Sequence, residues 1–160
     1  ILHEGRVIQS GKTTEVYNRP QQVLAAELFS EPAINLLPGR ISGTEVSFAD
    51  CVHFPLNPDL RGIAEGEYRF GVRPSHIGLV PSNDDDLELA VTVELAEISG
   101  SETFLHVRNE QFVLVLHLPG VHEYAVDTPI LIYIPTHKLF VFAADGQLVQ
   151  APSRRQGRAA

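Results

Sequence analysis

Between residues 87 and 95 the chain alternates without a break. Leu87, Leu89, Val91, Val93 and Leu95 hold one set of positions, and Glu88, Ala90, Thr92 and Glu94 hold the other. Successive side chains of a strand point to opposite faces, so this spacing predicts a strand with one buried and one wetted face. Four more strands are predicted over 103–107, 112–117, 130–134 and 139–142, the last closing at Asp145-Gly146. So many strands with so little helix between them predict a small closed or half-closed barrel. Upstream, 35–41, 45–48, 52–54 and 67–72 also read as strands, punctuated by Gly39, Gly43, Pro55, Pro58, Gly62 and Gly66. Asn83 to Asp86 is an acidic loop expected to divide the two groups.

The first thirty residues differ in character. Glu4-Gly5 marks a tight hairpin, because Gly supplies the positive φ that such a turn requires. Thr13 is the expected N-cap of a short helix, with Glu15 in its first turn and Pro20 preventing its continuation. A second helix is predicted over 21–29, with Leu24, Ala25, Leu28 and Phe29 on one stripe. Glu31-Pro32 ends it.

Composition limits the function. Hydrophobic residues make up 44% of the 160, enough for a real core. A net charge of −8 with only two Lys argues against a nucleic-acid or anionic-membrane partner, since phosphates are bound by clustered Lys and Arg. Arg154, Arg155 and Arg158 fall in a polar tail, 151–160, expected to be disordered. A lone Cys51 excludes an internal disulfide, a Cys-based zinc cluster and a CxxC pair, and fits a reducing cytosol. No apolar run approaches the ~18 residues of a membrane-spanning helix, and no signal peptide is visible. The sequence contains no Met and starts at Ile1, so a processed chain or a piece of a longer one is expected.

Catalytic motifs are weak throughout. Gly11-Lys12-Thr13-Thr14 ends like a phosphate-binding loop, but Arg6 stands where the first Gly should be, and the intervening residues read as strand. His117 and His122, His106, and the Cys51/His53 pair each lack further ligands for zinc. Asp84-Asp85-Asp86 lacks the Gly and distal Glu of a calcium loop. No Ser stands in a G-x-S-x-G turn. Two segments remain unusual: Gly71-Val72-Arg73-Pro74-Ser75-His76-Ile77, and Ser99-Gly100-Ser101-Glu102-Thr103-Phe104-Leu105-His106-Val107. In the first, Pro74 holds Arg73 extended at a strand end, aimed at a carboxylate or a partner chain. An Arg73–Glu102 pair across the barrel mouth is the simplest expectation.

The order of these segments resembles one family. Leu2-His3-Glu4-Gly5-Arg6-Val7-Ile8-Gln9-Ser10-Gly11 followed by Thr14-Glu15-Val16-Tyr17-Asn18-Arg19-Pro20 resembles the end of the ATP-binding domain of sugar and polyol ABC importers. Phe29-Ser30-Glu31-Pro32-Ala33-Ile34-Asn35-Leu36-Leu37 is similar to that domain's exit, and the two unusual segments to the family's "G-[IV]-R-P-E-H-[IL]" and "G-x-E-T-x-[LI]-H-[VI]", with Ser75 in place of the usual Glu. The resemblance implies the C-terminal regulatory region of a maltose- or glycerol-phosphate-type ATP-binding subunit: mainly β, with OB-like (TOBE) barrel parts over 33–150. Residues 1–32 would be the end of the ATPase domain.

It further implies a non-catalytic regulatory and dimerisation role, in a parent that hydrolyses ATP with Mg to import a sugar-like solute. The Walker A, signature and Walker B motifs are absent from these residues, so no cofactor, metal or catalytic residue is expected here. Implied partners are a second copy of the subunit, membrane permease subunits reached through the ATPase domain, and a regulatory protein; nucleic acid is not among them. The implied location is the cytoplasmic face of the plasma membrane. Candidate interface or regulatory residues are Gly71, Arg73, Pro74, His76, Gly100, Glu102 and Thr103. The alternative is an OB module binding a sugar or oxyanion.

Overall fold

Backbone pairing gathers the chain into three antiparallel sheets across residues 1–153, the part that this computed structural model describes. A two-stranded hairpin comes first, β1 (Leu2–His3) and β2 (Arg6–Val7), followed by helices α1 (Thr13–Asn18) and α2 (Val23–Leu28). Glu4 and Gly5 carry its turn, both at positive φ. Strands β3 (Asn35–Ser42), β4 (Glu45–Phe48), β5 (Val52–Pro55) and β6 (Gly66–Val72) precede the acidic loop. Then come β7 (Asp86–Ser99), β8 (Glu102–Arg108), β9 (Val113–Pro119), β10 (Pro129–Pro135), β11 (Phe140–Phe142) and β12 (Leu148–Gln150).

The strands form a four-stranded sheet in the order β10-β7-β8-β9 and a six-stranded sheet in the order β12-β11-β6-β3-β4-β5. The sheets are curled and include a half-barrel, which makes the chain mainly β and OB-like as expected. Two expectations change. Residues 139–142 do not close the barrel beside β10; β11 pairs instead with β6, in the earlier group of strands. The acidic loop does not separate two cores either. Leu37, Phe48 and Phe70 from the six-stranded sheet share one buried cluster with Leu89, Leu105, Leu116 and Ile132 from the four-stranded one. Phe48 is central to it, with ring centroids 5.0 Å from Phe54 and 5.2 Å from Phe70.

The period-two segment behaves as its spacing requires up to Val93. Leu87, Leu89, Val91 and Val93 are all buried. Leu95 is 48% exposed, against expectation. The β7–β8 register shifts between Val93 and Leu95, so one extra residue turns the strand over and hands the inner face to Ala96.

A polar bridge also joins the sheets. Asn35, buried on β3, donates from Nδ2 to the Val115 carbonyl (2.9 Å) and accepts from the Val115 N–H (2.8 Å). Gly39, also on β3, allows the aromatic core to close. A Cβ there would lie 2.7 Å from Phe48 Cδ1 and 2.8 Å from Phe70 Cδ2.

The N-terminal residues dock against β11 and β12. Val23 N–H donates to the Gly146 carbonyl and Leu148 N–H to that of Gln21, both at 2.9 Å. A second apolar cluster joins Ala26 to Ile34, Phe140, Phe142 and Ala151. Of the predicted stripe, Ala25 is buried, with Ala26 beside it, while Leu24 and Phe29 are half-buried and Leu28 is exposed. Small side chains let the helix approach the sheet closely. Thr13 is the first helical residue rather than the cap; Lys12 holds that position and makes no side-chain cap bond. Of the tail expected to be disordered, Ala151 is buried and Ser153 Oγ donates to Asp59 Oδ2. Residues 154–160 lie outside the described residues.

Gly39→Ala should lower stability by about 1–3 kcal/mol, the range for overfilling a packed core. A urea midpoint unchanged from the parent chain would show that the Phe48–Phe70 contact is not tight.

A buried arginine and its cavity as the candidate functional site

The first predicted group gathers where β6 ends. Gly71 sits where a Cβ would be 2.9 Å from Ile34 Cδ1 and 3.0 Å from Phe142 Cε2, so glycine lets the second cluster close against the strand. Arg73 follows in extended geometry, as a residue before proline must. Pro74, itself buried, opens a 3-10 turn over Pro74–His76. That geometry drives the Arg73 side chain inward, and only 1% of it is exposed. Its guanidinium carbon lies over the Tyr17 ring, 3.7 Å from the centroid, and 5.4 Å from that of Phe140. Nη2 donates to the Tyr17 carbonyl. Nε and Nη1 have no partner, and no carboxylate forms an ion pair with Arg73 among the described residues. Burial lowers the guanidinium pKa below its ordinary value, because desolvation disfavours the charged form.

His76 completes this corner. Its Nδ1 is buried without a partner. Burial, then the charges of Lys138 and Arg73 and the neighbouring His137, push its pKa down to about 4. The ring is therefore neutral at pH 7. A cavity of about 610 Å³ opens beside these groups, lined by Arg73, His76, Lys138, Tyr17 and Phe140, with Glu15 and Arg19 also on its wall.

The second predicted group lies on the other sheet. Gly100 carries the β7–β8 turn at φ 61°. Glu102 pairs with His117 across β8 and β9 at 3.0 Å, and His117 stacks on Phe104 with centroids 4.8 Å apart. Thr103 is fully buried; its hydroxyl donates to the Gly120 carbonyl (2.9 Å) and accepts from the His122 N–H (3.0 Å). The expected Arg73–Glu102 pair does not form. Arg73 turns inward onto Tyr17, and Glu102 faces its cross-strand neighbour His117.

Sequence reasoning placed Arg73 correctly at a strand end but missed Tyr17, Lys138 and Phe140 as its surroundings. Tyr17 falls in the segment Thr14–Pro20, yet no spacing rule links it to Arg73 so far along the chain. The other weighed groups stay apart as well. His53 pairs with Glu45 at 2.9 Å rather than with Cys51. Asp86 accepts hydrogen bonds from Ser82 and Asn83 and ties its own loop. No set of three or more His, Cys, Asp or Glu groups suited to a metal occurs among the described residues.

Two outcomes follow from this geometry. His76 binds its proton less readily in the folded chain, at about pH 4, than in the unfolded chain, at about 6.5. Its contribution to stability is complete above pH 6.5 and is lost as pH falls toward 4, by up to roughly 3 kcal/mol. Urea unfolding across that window should therefore slope downward with acid, and His76→Leu should flatten the slope; an identical slope in the variant contradicts the assignment. Thr103→Val keeps the volume but leaves the Gly120 carbonyl and His122 N–H without their partner. It should cost about 1–3 kcal/mol in the same assay at neutral pH.

Comparison with known proteins supplies the relationship. No protein-family model matches the chain. It is 30% identical over 149 residues to the sn-glycerol-3-phosphate import ATP-binding protein UgpC of Paraburkholderia xenovorans, covering 89% of this chain and 41% of that protein. The UgpC protein of Salmonella typhimurium is 30% identical over 152 residues, 94% of this chain and 42% of the relative. The sulfoquinovosyl glycerol transport ATP-binding protein SmoE of Agrobacterium fabrum is 30% identical over 148 residues, 90% and 41%. The chain thus spans about two fifths of the length of these curated relatives. Placed beside the four ordered motifs and the OB-like fold, these matches identify the chain as a homologue of the C-terminal part of sugar-type ABC importer ATP-binding subunits.

Proposed function

We propose that this chain is the non-catalytic regulatory and dimerisation region of an ABC importer's ATP-binding subunit. The parent subunit couples hydrolysis of ATP, with Mg, to uptake of a sugar-like solute. The observation that carries this reading is similarity to import ATP-binding proteins along nearly the whole chain.

A physical feature of the N-terminal unit supports it. Leu2 and Val7 face each other across the β1–β2 hairpin and are 73% and 67% exposed. Leu28 on α2 is exposed too. From Ile34 onward the sheets bury shared apolar clusters, although Val80, Val113, Val121 and Val126 are exposed there too. An apolar hairpin edge of this kind suits a unit that finishes its packing against an adjoining ATPase domain.

In this reading the partners are a second copy of the subunit, the permease subunits reached through the ATPase domain, and a regulatory protein. The complex sits at the cytoplasmic face of the plasma membrane. No helix of the described residues is long and apolar enough to cross a membrane, which suits peripheral attachment.

Sedimentation equilibrium of the 160-residue chain tests the dimerisation role. Concentration-dependent self-association is expected, and a strict monomer at every concentration contradicts that role. In thermal melts, ATP with Mg should leave the melting temperature unchanged. A rise with sugars or molybdate would favour the small-ligand alternative.

A further inference from the structure

Two cavities of opposite sign lie beside Ser153. Ser153 lines the first, where Arg19 and Lys138 stand against a single acid, Glu15. Its hydroxyl donates to Asp59, in the 3-10 turn Pro58–Leu60, and Asn57 and Pro58, just before Asp59, line the second.

That second cavity, about 600 Å³, is a groove with His53 to Pro58 on one wall and Asn83 to Glu88 on the other. No β4 residue lines it, so it opens on the outer edge of β5, an end strand of the six-stranded sheet. No Lys or Arg lines it either. Asp86 is committed to its own loop through Ser82 and Asn83. Asp84, Asp85 and Glu88 are exposed and form no ion pair with a Lys or Arg among the described residues.

Beyond Ser153 the sequence reads Arg154-Arg155-Gln156-Gly157-Arg158-Ala159-Ala160, with three cations and no acidic side chain. A segment of this length spans at most roughly 25 Å, enough to cross the groove from Asp59. We propose that residues 154–160 dock in this groove as an intramolecular strap, with Arg154 and Arg155 paired to Asp84, Asp85 and Glu88. Charge chooses between the two cavities: Arg19 and Lys138 repel the arginines from the first, and three acids without basic partners draw them to the second. Exposed ion pairs of this kind are individually weak. The Ser153–Asp59 bond adds to them by holding the arginines at the mouth of the groove, which raises their effective concentration there. The strap closes the groove to a basic segment of any partner until it is displaced. This contact is independent of the transport role proposed above.

A nitroxide on Gly157→Cys, in a Cys51→Ser background of the 160-residue chain, tests this through loss of amide signal. Asp84, Asp85 and Glu88 should lose more intensity than Glu15 and Lys138 at neutral pH and low salt. The difference should shrink at about 1 M sodium chloride, where the screening length is about 3 Å. It should shrink also in Asp84→Asn/Asp85→Asn, whose changes fall on exposed loop positions. Equal losses around both cavities, no loss at the groove, or a loss indifferent to salt or to the double variant would overturn the proposal. So would equal loss in a mixture of spin-labelled chain with unlabelled 15N chain, which would put the tail on a second copy.

Discussion

A single guanidinium holds three distant parts of the chain together. Arg73 stands at the end of β6, its donor reaches the carbonyl of Tyr17 on α1, and its charge lies over Tyr17 and near Phe140 on β11. Each cation–π contact of this kind contributes on the order of 0.5–2 kcal/mol once desolvated. Local backbone chemistry makes the arrangement possible. Pro74 fixes Arg73 in extended geometry, and Gly71 gives Ile34 and Phe142 room to pack beside the strand. Without the inward Arg73 side chain, α1 would lose its main tie to the sheet, since its only buried residue is Val16.

The remainder of the fold depends on aromatic packing between two curled sheets. Phe48 meets Phe54, Phe70 and Phe112, so it bridges the β4–β5 hairpin, β6 and the turn before β9. Asn35 adds direction to this otherwise non-directional contact through its paired hydrogen bonds to Val115. A buried amide bonded on both sides fixes register in a way that apolar contacts alone do not. The same strand, β3, therefore contributes both the polar bridge and, at Gly39, the space for the aromatic cluster. Two groups of strands that look separate along the sequence become one core.

Local signals in the sequence carried the strands well. The alternation at 87–93 and the glycine and proline punctuation located every strand from β3 to β11 to within a few residues. Three features were not legible in local spacing. The register shift after Val93 turns Leu95 outward, and nothing in the alternating pattern marks it. The pairing of β11 with β6 rather than with the preceding barrel strands is a choice of edge, not of local propensity. β12 is only three residues long, and Leu148 and Val149 are too few to show a period. At the candidate site, Arg73 was evident from the strand end and Pro74, while its partners Tyr17 and Phe140 are set by the tertiary fold. The expectation of Glu102 rested on charge alone, and geometry gave Glu102 to His117.

The central claim is that Arg73 anchors the N-terminal helices to the sheet through Tyr17. Native-state hydrogen exchange on Tyr17→Leu measures this most directly, because exchange reports the opening of each element separately. The account predicts that amides of α1 and α2 lose protection while those of β7 and β8 keep theirs. Unchanged protection in the helices, or an equal loss in every strand, would contradict it.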